Sequence, residues 1–141
     1  MKMFQISDKI DNVSRIGIGC MRITGLSDEK AVRSLIEGAL ECGINFFDHA
    51  DIYAGGEAET LFGNALTPQL REKMVIQTKC AIRPGICYDF SKEYILNSVD
   101  GSLKRLKTDY VDLYYLHRVD PKTPIELVAQ TMKELMAEGK I

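Results

Sequence analysis

Apolar residues follow two different spacings that alternate along the chain. Short continuous runs of apolar or β-branched residues are typical of buried strands, whereas apolar positions three and four residues apart predict amphipathic helices. A strand–helix unit recurs roughly every 30–35 residues, as expected of βαβ units. The pattern therefore predicts an α/β protein with a parallel sheet, either a doubly wound sheet or a (β/α)8 barrel.

The continuous runs predict the strands of this sheet. Four of them are expected, at residues 15–19, 44–48, 74–79 and 110–117. Ahead of them, residues 2–7 and 10–13 predict a short amino-terminal β-hairpin around a polar turn. No linker or low-complexity stretch interrupts the series, so a single domain over residues 1–141 is expected.

The periodic stretches predict the helices between the strands. Four are expected, at residues 28–42, 57–66, 92–106 and 124–138. Ser27 and Ser91 are placed to cap the first and third helices. Thr123 begins a capping box in which Pro124 takes the first helical position. Gly43 follows the first helix and is expected to end it.

Polar residues stand at the ends of three predicted strands. Asp48, Lys79 and His117 each close an otherwise apolar or β-branched run. Side chains two residues apart in a strand share a face, and this alternation puts all three residues on the face that points into a barrel. Tyr53 follows in the loop after the second strand. Barrel enzymes place their chemistry at this carboxyl-terminal face, so these side chains are expected to share one pocket.

Such a group of side chains suits proton donation to a carbonyl oxygen. A phenol has an unperturbed pKa of ~10, and a nearby ammonium group lowers it. A carboxylate keeps the ammonium charged and oriented, and a neutral imidazole can donate a hydrogen bond to the carbonyl oxygen. No side chain supplies a hydride, so reduction at this site requires a nicotinamide cofactor.

Composition and charge exclude several classes of protein. The 18 Lys and Arg residues against 20 Asp and Glu give a net charge of −2, which argues against a nucleic-acid-binding module. No apolar run approaches the ~18 residues of a membrane helix, and the first residues do not have the pattern of a signal peptide. The four cysteines form no CxxC pair, so we expect a reduced, cytoplasmic protein without a structural zinc site.

Four segments resemble the motifs of aldo-keto reductases, in the same order. NFFDHADIYAGGEAE resembles the family signature D-x-A-x-x-Y-G-x-x-E, VIQTK its lysine strand and DYVDLYYLHRVDP its histidine strand. The run TPIELVAQTMKELMAEGKI is similar to the helix before the family's fifth strand. The resemblance covers residues 14–141 and implies a TIM-barrel type of fold, of which these are the first four βα units.

The resemblance also implies roles for individual residues. It matches the family's catalytic tetrad to Asp48, Tyr53, Lys79 and His117, with Tyr53 as the proton donor. It places a cofactor, NADPH in most of the family, beside Gly19, Cys20, Met21 and Asp48. The implied reaction is the reduction of small aldehydes or ketones to alcohols.

The chain departs from the family in one pocket residue and in length. His49 stands where many members have a small hydroxyl residue, which is expected to alter the pocket wall. A (β/α)8 barrel takes about 250 residues, so these 141 are expected to be a barrel domain truncated before strand five. Its open edges would favour self-association, and a monomer is not expected to be active. A non-catalytic truncated barrel, acting as an interaction module or remnant, is the alternative.

Three other kinds of site are considered and not favoured. Gly17-Ile18-Gly19 begins like a dinucleotide fingerprint, but Arg22 takes the place of its third glycine. Lys79 would suit a Schiff-base aldolase, a chemistry that gives Asp48 and Tyr53 no shared purpose with a hydride donor. The spacing of the histidines and Asp51 matches no standard metal site, so no metal is expected.

Overall fold

The computed structural model describes all residues from 1 to 141. Its strands are β1 (Met3–Phe4), β2 (Val13–Ser14), β3 (Gly17–Gly19), β4 (Phe46–Asp48), β5 (Val75–Cys80), β6 (Ile82–Arg83), β7 (Cys87–Tyr88) and β8 (Leu113–Leu116). Four of them form a parallel sheet in the order β3-β4-β5-β8. There are also two small antiparallel ribbons: β1 with β2 precedes the sheet in the chain, and β6 with β7 lies between β5 and α4.

A helix follows every strand of the parallel sheet. The helices are α1 (Glu29–Glu41), α2 (Glu57–Ala65), α3 (Pro68–Arg71), α4 (Lys92–Leu106) and α5 (Ile125–Ala137). The observed order is thus four successive strand–helix units after an amino-terminal hairpin, as the spacing of apolar residues predicts. The short helix α3 and the β6–β7 ribbon are additions that the sequence pattern did not indicate. None of the helices has the length and apolar character needed to cross a bilayer.

The two faces of the parallel sheet have different surroundings. One face is buried against the helices, as shown by Phe47 of β4, whose ring lies 5.3 Å from that of Phe62 in α2. The opposite face carries Asp48, Gln77 and Lys79, and its side chains are only partly covered. Tyr115 of β8, on this same face, is 49% exposed. The polar residues that parity assigned to one face therefore do lie together on the open side.

Asp28, rather than Ser27, caps α1. The Asp28 carboxylate accepts a hydrogen bond from the Ala31 backbone N–H at 2.9 Å, and Asp28 itself has extended backbone angles. A carboxylate at this end of a helix also gains from the helix dipole, which a serine hydroxyl does not. The prediction for Ser91 is confirmed, since its hydroxyl accepts from the Tyr94 N–H.

The capping box predicted at Thr123 does not form. Helix α5 begins at Ile125, with Pro124 at the cap position and no side-chain hydrogen bond there. The Thr123 hydroxyl instead donates to the Asp120 carboxylate at 2.7 Å. Asp120 also accepts from the Phe90 and Lys122 N–H groups, so a buried carboxylate organises this loop.

A buried ion pair joins α2, α4 and β5 behind the sheet. Glu59 is fully buried, and its carboxylate accepts from the Arg105 guanidinium at 2.8 Å and from the Thr78 hydroxyl at 2.5 Å. The two helices approach closely at Gly63, where an added Cβ would lie 2.1 Å from the Arg105 carbonyl oxygen. Charge pairing and a glycine contact thus fix the layer on which the sheet rests.

We expect Ala81→Gly to stabilise the protein. Ala81 follows β5 directly and is fully buried, with a φ of +98° that favours glycine over a residue with a Cβ. Removing that strain should raise the free energy of unfolding by ~1 kcal/mol, measured by urea denaturation. The matched control is Ala39→Gly, inside α1, which should lower it by a similar amount. Equal losses in both variants would contradict the strain at Ala81.

Candidate functional site

Lys79 is the centre of a cluster at the carboxyl end of the sheet. Its ammonium nitrogen lies 2.6 Å from Oδ1 of Asp48. It also donates to the backbone carbonyl oxygen of His49 at 2.6 Å and to the Tyr53 hydroxyl at 3.2 Å. An ammonium group has three N–H donors, and here two of them have hydrogen-bond acceptors beside the ion pair with Asp48. Lys79 is therefore held between the carboxylate and the phenol.

The strand ends differ slightly from the predicted ones. β5 continues one residue beyond Lys79, to Cys80, and β8 ends at Leu116, just before His117. Asp48 is the last residue of β4, as predicted. Lys79 therefore projects from within its strand, while His117 begins the following loop.

Tyr53 comes from a tight turn between β4 and α2. The chain reverses through three successive residues with positive φ, namely Ala54 (50°), Gly55 (66°) and Gly56 (93°). Such angles suit glycine, so Ala54 is the least suited of the three to this turn. In the family signature this position is a glycine, and alanine is a further departure from it. The turn places the Tyr53 ring over the Lys79 ammonium, 5.0 Å from its centroid.

His117 lies against the Tyr53 ring. The two rings meet edge to face, with centroids 6.2 Å apart and an interplanar angle of 81°. Burial lowers the pKa of His117 below its usual value, and the charges of Lys79 and Arg118 lower it further. The ring is thus neutral at pH 7, and its Nδ1 is buried without a hydrogen-bond partner. A neutral imidazole in this place can donate one hydrogen bond to a ligand beside Tyr53.

The loop after β3 borders this cluster. Register pairs Gly19 with Asp48, and an added Cβ at Gly19 would meet no atom within 4 Å. Met21 is 63% exposed. The Cys20 side chain is buried instead, and burial, followed by the charge of Asp48, raises its thiol pKa to about 12. Gly19 and Met21 are accessible to a ligand, whereas Cys20 can offer only its backbone.

Gln77 is a member of the cluster that sequence reasoning missed as a site residue. Its side-chain amide donates a hydrogen bond to Oδ1 of Asp48. The signal was present in the alternation along the strand, because Gln77 stands two residues before Lys79 and shares its face. A single glutamine within a strand does not indicate a functional site until its hydrogen-bond partner on the neighbouring strand is known.

Comparison with known proteins decides the family. The model of the aldo/keto reductase family matches residues 15–141. The chain belongs to this family. It is 41% identical over 138 residues to a probable aldo-keto reductase 1 of Glycine max, covering 92% of this chain and 40% of that protein. It is 38% identical to the aldo-keto reductase YhdN of Bacillus subtilis, covering 100% of this chain and 45% of YhdN.

A solved structure extends the similarity to the fold. The holo form of aldo-keto reductase AKR11C1 from Bacillus halodurans superposes with a TM-score of 0.84 at 37% sequence identity. The match covers 99% of this chain and 47% of that one. The predicted α/β fold of TIM-barrel type, with four βα units, is confirmed. The chain spans about half the length of the curated relatives that it matches.

His49 does not line the pocket, contrary to the expectation from the family comparison. Its ring lies behind the sheet, edge to face against Phe62, with centroids 4.4 Å apart. Both ring nitrogens are buried without hydrogen-bond partners. The reason is strand alternation, since the residue after Asp48 must point to the opposite face. Only the His49 backbone carbonyl faces the site, where it binds Lys79.

We expect His49 to weaken the fold in acid. Burial, followed by the charge of Lys79, lowers its pKa from 6.5 to about 3. Between these values the unfolded chain binds a proton at His49 and the folded chain does not. The free energy of unfolding should therefore fall as pH drops through this window, by about 1.4 kcal/mol per pH unit from this residue.

The measurement is urea denaturation of the wild type and of His49→Leu at pH 7, 6 and 5. Asp51 has an opposing effect, because burial and the nearby Glu59 raise its pKa from 3.8 to about 6. Both proteins contain Asp51, so the difference between their stabilities isolates His49. The stability of the wild type relative to His49→Leu should fall steadily as the pH drops below 6.5. If the two proteins lose stability in parallel, His49 is not the group responsible.

The other sites considered from the sequence find no support in the geometry. The residues after Gly19 form a 3-10 segment, Cys20–Gly25, and α1 begins only at Glu29, unlike a dinucleotide fingerprint. No group of three or more His, Cys, Asp or Glu residues is arranged to hold a metal ion. A Schiff-base lysine must lose a proton, whereas the Lys79 ammonium is ion-paired with Asp48 and donates to the His49 carbonyl and Tyr53 hydroxyl oxygens.

Proposed function

We propose that residues 1–141 carry the proton-donating machinery of an NADPH-dependent reductase that converts small aldehydes or ketones to alcohols. The observation that carries the proposal is the line of contacts from the Asp48 carboxylate through the Lys79 ammonium to the Tyr53 hydroxyl, at 2.6 and 3.2 Å. Family membership supports oxidoreductase chemistry. The catalytic roles of Asp48, Tyr53, Lys79 and His117 are part of this proposal.

Each group has one task in the proposed reaction. Tyr53 transfers its hydroxyl proton to the carbonyl oxygen and becomes a phenolate. The Lys79 ammonium stabilises that phenolate, and Asp48 keeps the ammonium in place. The neutral His117 donates a hydrogen bond that orients the carbonyl oxygen. The hydride that the carbonyl carbon needs would come from a reduced nicotinamide, if one is held at Gly19, Met21 and Asp48.

The residues at the carboxyl end fit the nicotinamide part of such a cofactor. Open space above Gly19, beside Asp48, leaves room for a flat ring close to the sheet. Met21, in the loop that follows, is exposed and would be accessible to the cofactor. The neutral imidazole of His117, edge to face with the Tyr53 ring, has one N–H to donate to the substrate. We assign NADPH rather than NADH on the resemblance to the family, and we place the protein in the cytoplasm because its four cysteines are free.

The test is a titration of purified residues 1–141 with NADPH, followed by fluorescence quenching, with NADH in parallel. We expect saturable quenching by NADPH and oxidation of NADPH at 340 nm when an aldehyde is added. Light scattering on the same samples should show a mass above that of one chain, because β3 and β8 each have an unpaired edge. A folded chain that binds no NADPH would contradict the proposal for these residues.

A further inference from the structure

The Asp48 carboxylate needs more than Lys79 to fix its direction. It stands on the partly covered face of the sheet, and its side chain is 28% exposed. A carboxylate in contact with water can rotate and exchange its protein partners for solvent. An ion pair attracts the two groups without setting the plane of the carboxylate.

Gln77 supplies the missing constraint from the neighbouring strand. The register of β4 and β5 places Gln77 directly opposite Asp48 and on the same face. Its amide donates a hydrogen bond to Oδ1 of Asp48, the same oxygen with which the Lys79 ammonium forms its ion pair. The amide is neutral, so it adds a directed hydrogen bond without changing the charge balance of the pair. A directed hydrogen bond and an ion pair that converge on one oxygen define the position of that oxygen.

The position of this oxygen decides where Lys79 points. The Lys79 side chain has four rotatable carbon–carbon bonds, and three acceptors fix its head group: Oδ1 of Asp48, the His49 carbonyl oxygen and the Tyr53 hydroxyl. The contact with Tyr53 is the longest of the three, at 3.2 Å. If Oδ1 moves, the N–H directed at Tyr53 is the first to lose alignment.

We propose that Gln77 is a positioning residue, which holds the Asp48 carboxylate and thereby aims the Lys79 ammonium at the Tyr53 hydroxyl. The catalytic consequence rests on the function proposed above, whereas the positioning itself does not. The backbone supports the same arrangement, since the Gln77 carbonyl oxygen accepts from the His49 N–H at 2.8 Å. Gln77 thus contacts both residues whose oxygens bind Lys79 most closely.

Two substitutions of similar size separate positioning from packing. Gln77→Met keeps the length of the side chain and removes the donor. Gln77→Glu keeps the shape and replaces the donor with a second carboxylate, which repels Asp48. If Gln77 positions the carboxylate, Gln77→Glu should disturb the cluster more than Gln77→Met. If Gln77 only fills space, the two variants should be tolerated alike. Leu113→Met is the control, because Leu113 lies opposite Gln77 on β8 and has no polar contact with the cluster.

The first readout is the side-chain ammonium signal of Lys79 in proton–nitrogen NMR spectra, assigned by its loss in Lys79→Arg. We expect its exchange with water to accelerate at least about threefold in Gln77→Met and further in Gln77→Glu, because protecting hydrogen bonds are lost. Leu113→Met should leave it unchanged. An unchanged Lys79 signal in a folded Gln77→Met protein would overturn the proposal, whatever the activity.

The second readout is carbonyl reduction with NADPH. Misaligning Tyr53 should lower kcat about tenfold in Gln77→Met while the KM for the aldehyde changes little. A rise in KM with kcat unchanged would overturn the catalytic consequence. If the wild type shows no reduction but its Lys79 signal responds to the substitutions as expected, the positioning holds and the proposed function fails.

Discussion

Tyr53→Phe is expected to lower the rate of carbonyl reduction by about 10²–10⁴-fold, the usual contribution of a general acid. Phenylalanine keeps the ring that faces His117 and covers the Lys79 ammonium, but it has no proton to give. The affinity for NADPH should change little, because the proposed cofactor contacts lie at Gly19, Met21 and Asp48. Initial rates at 340 nm and the fluorescence titration measure the two effects on the same protein.

The matched control for this substitution is Tyr88→Phe. Tyr88 lies in the β6–β7 ribbon and is 48% exposed, so removing its hydroxyl should alter neither rate nor affinity. Turnover retained in Tyr53→Phe would remove Tyr53 from the role of proton donor. Loss of both turnover and cofactor affinity would instead show that the hydroxyl organises the site as a whole.

Arg105→Met is expected to cost about 3–5 kcal/mol of unfolding free energy, the largest stability effect of any single substitution considered. Glu59 is fully buried and Arg105 is its only cationic partner. Methionine fills much of the same space but leaves the Glu59 charge with only the Thr78 hydroxyl. Urea denaturation followed by circular dichroism measures the loss, which is a large fraction of the stability of a domain of this size.

Two further variants test the cause of that loss. Lys104→Met, one residue earlier on α4 and exposed, should change stability by less than about 0.5 kcal/mol. The double variant Glu59→Gln with Arg105→Met removes the unpaired charge and keeps an acceptor for Thr78, so it should be more stable than Arg105→Met alone. If the double variant is as unstable as the single one, packing rather than charge explains the effect.

The sequence predicted the parts of the fold that depend on local periodicity. Alternating strands and helices, together with parity, were enough to bring Asp48, Lys79 and His117 to one edge, because parallel strands end on the same side. The same alternation already assigns His49 to the face opposite Asp48, although family comparison suggested the pocket wall. The β6–β7 ribbon was not predicted, since its two-residue strands have no period to detect and, unlike those of the amino-terminal hairpin, do not border a polar turn between two longer runs.

Long-range register accounts for what the sequence left out of the site. The contact of Gln77 with Asp48 depends on how β4 and β5 align, and that alignment is set by packing across the whole sheet rather than by either strand alone. The cap of α1 and the capture of Thr123 by Asp120 depend on which acceptor wins a local competition. These outcomes depend on shifts of about one residue in where a helix or loop begins. The periodicity of apolar residues does not locate element ends that finely.

Hydrogen bonding between the strands does not stop where the strands end. The His49 and Asp51 N–H groups continue to bind the Gln77 and Lys79 carbonyl oxygens, and the His117 N–H binds that of Cys80 at 2.7 Å. The backbones that carry Asp48, Lys79 and His117 are therefore joined by hydrogen bonds beyond the ends of their strands. Tyr53 stands outside this ladder, on a turn where its N–H binds the Ala50 carbonyl oxygen, so only its contacts with Lys79 and His117 tie it to the strand ends.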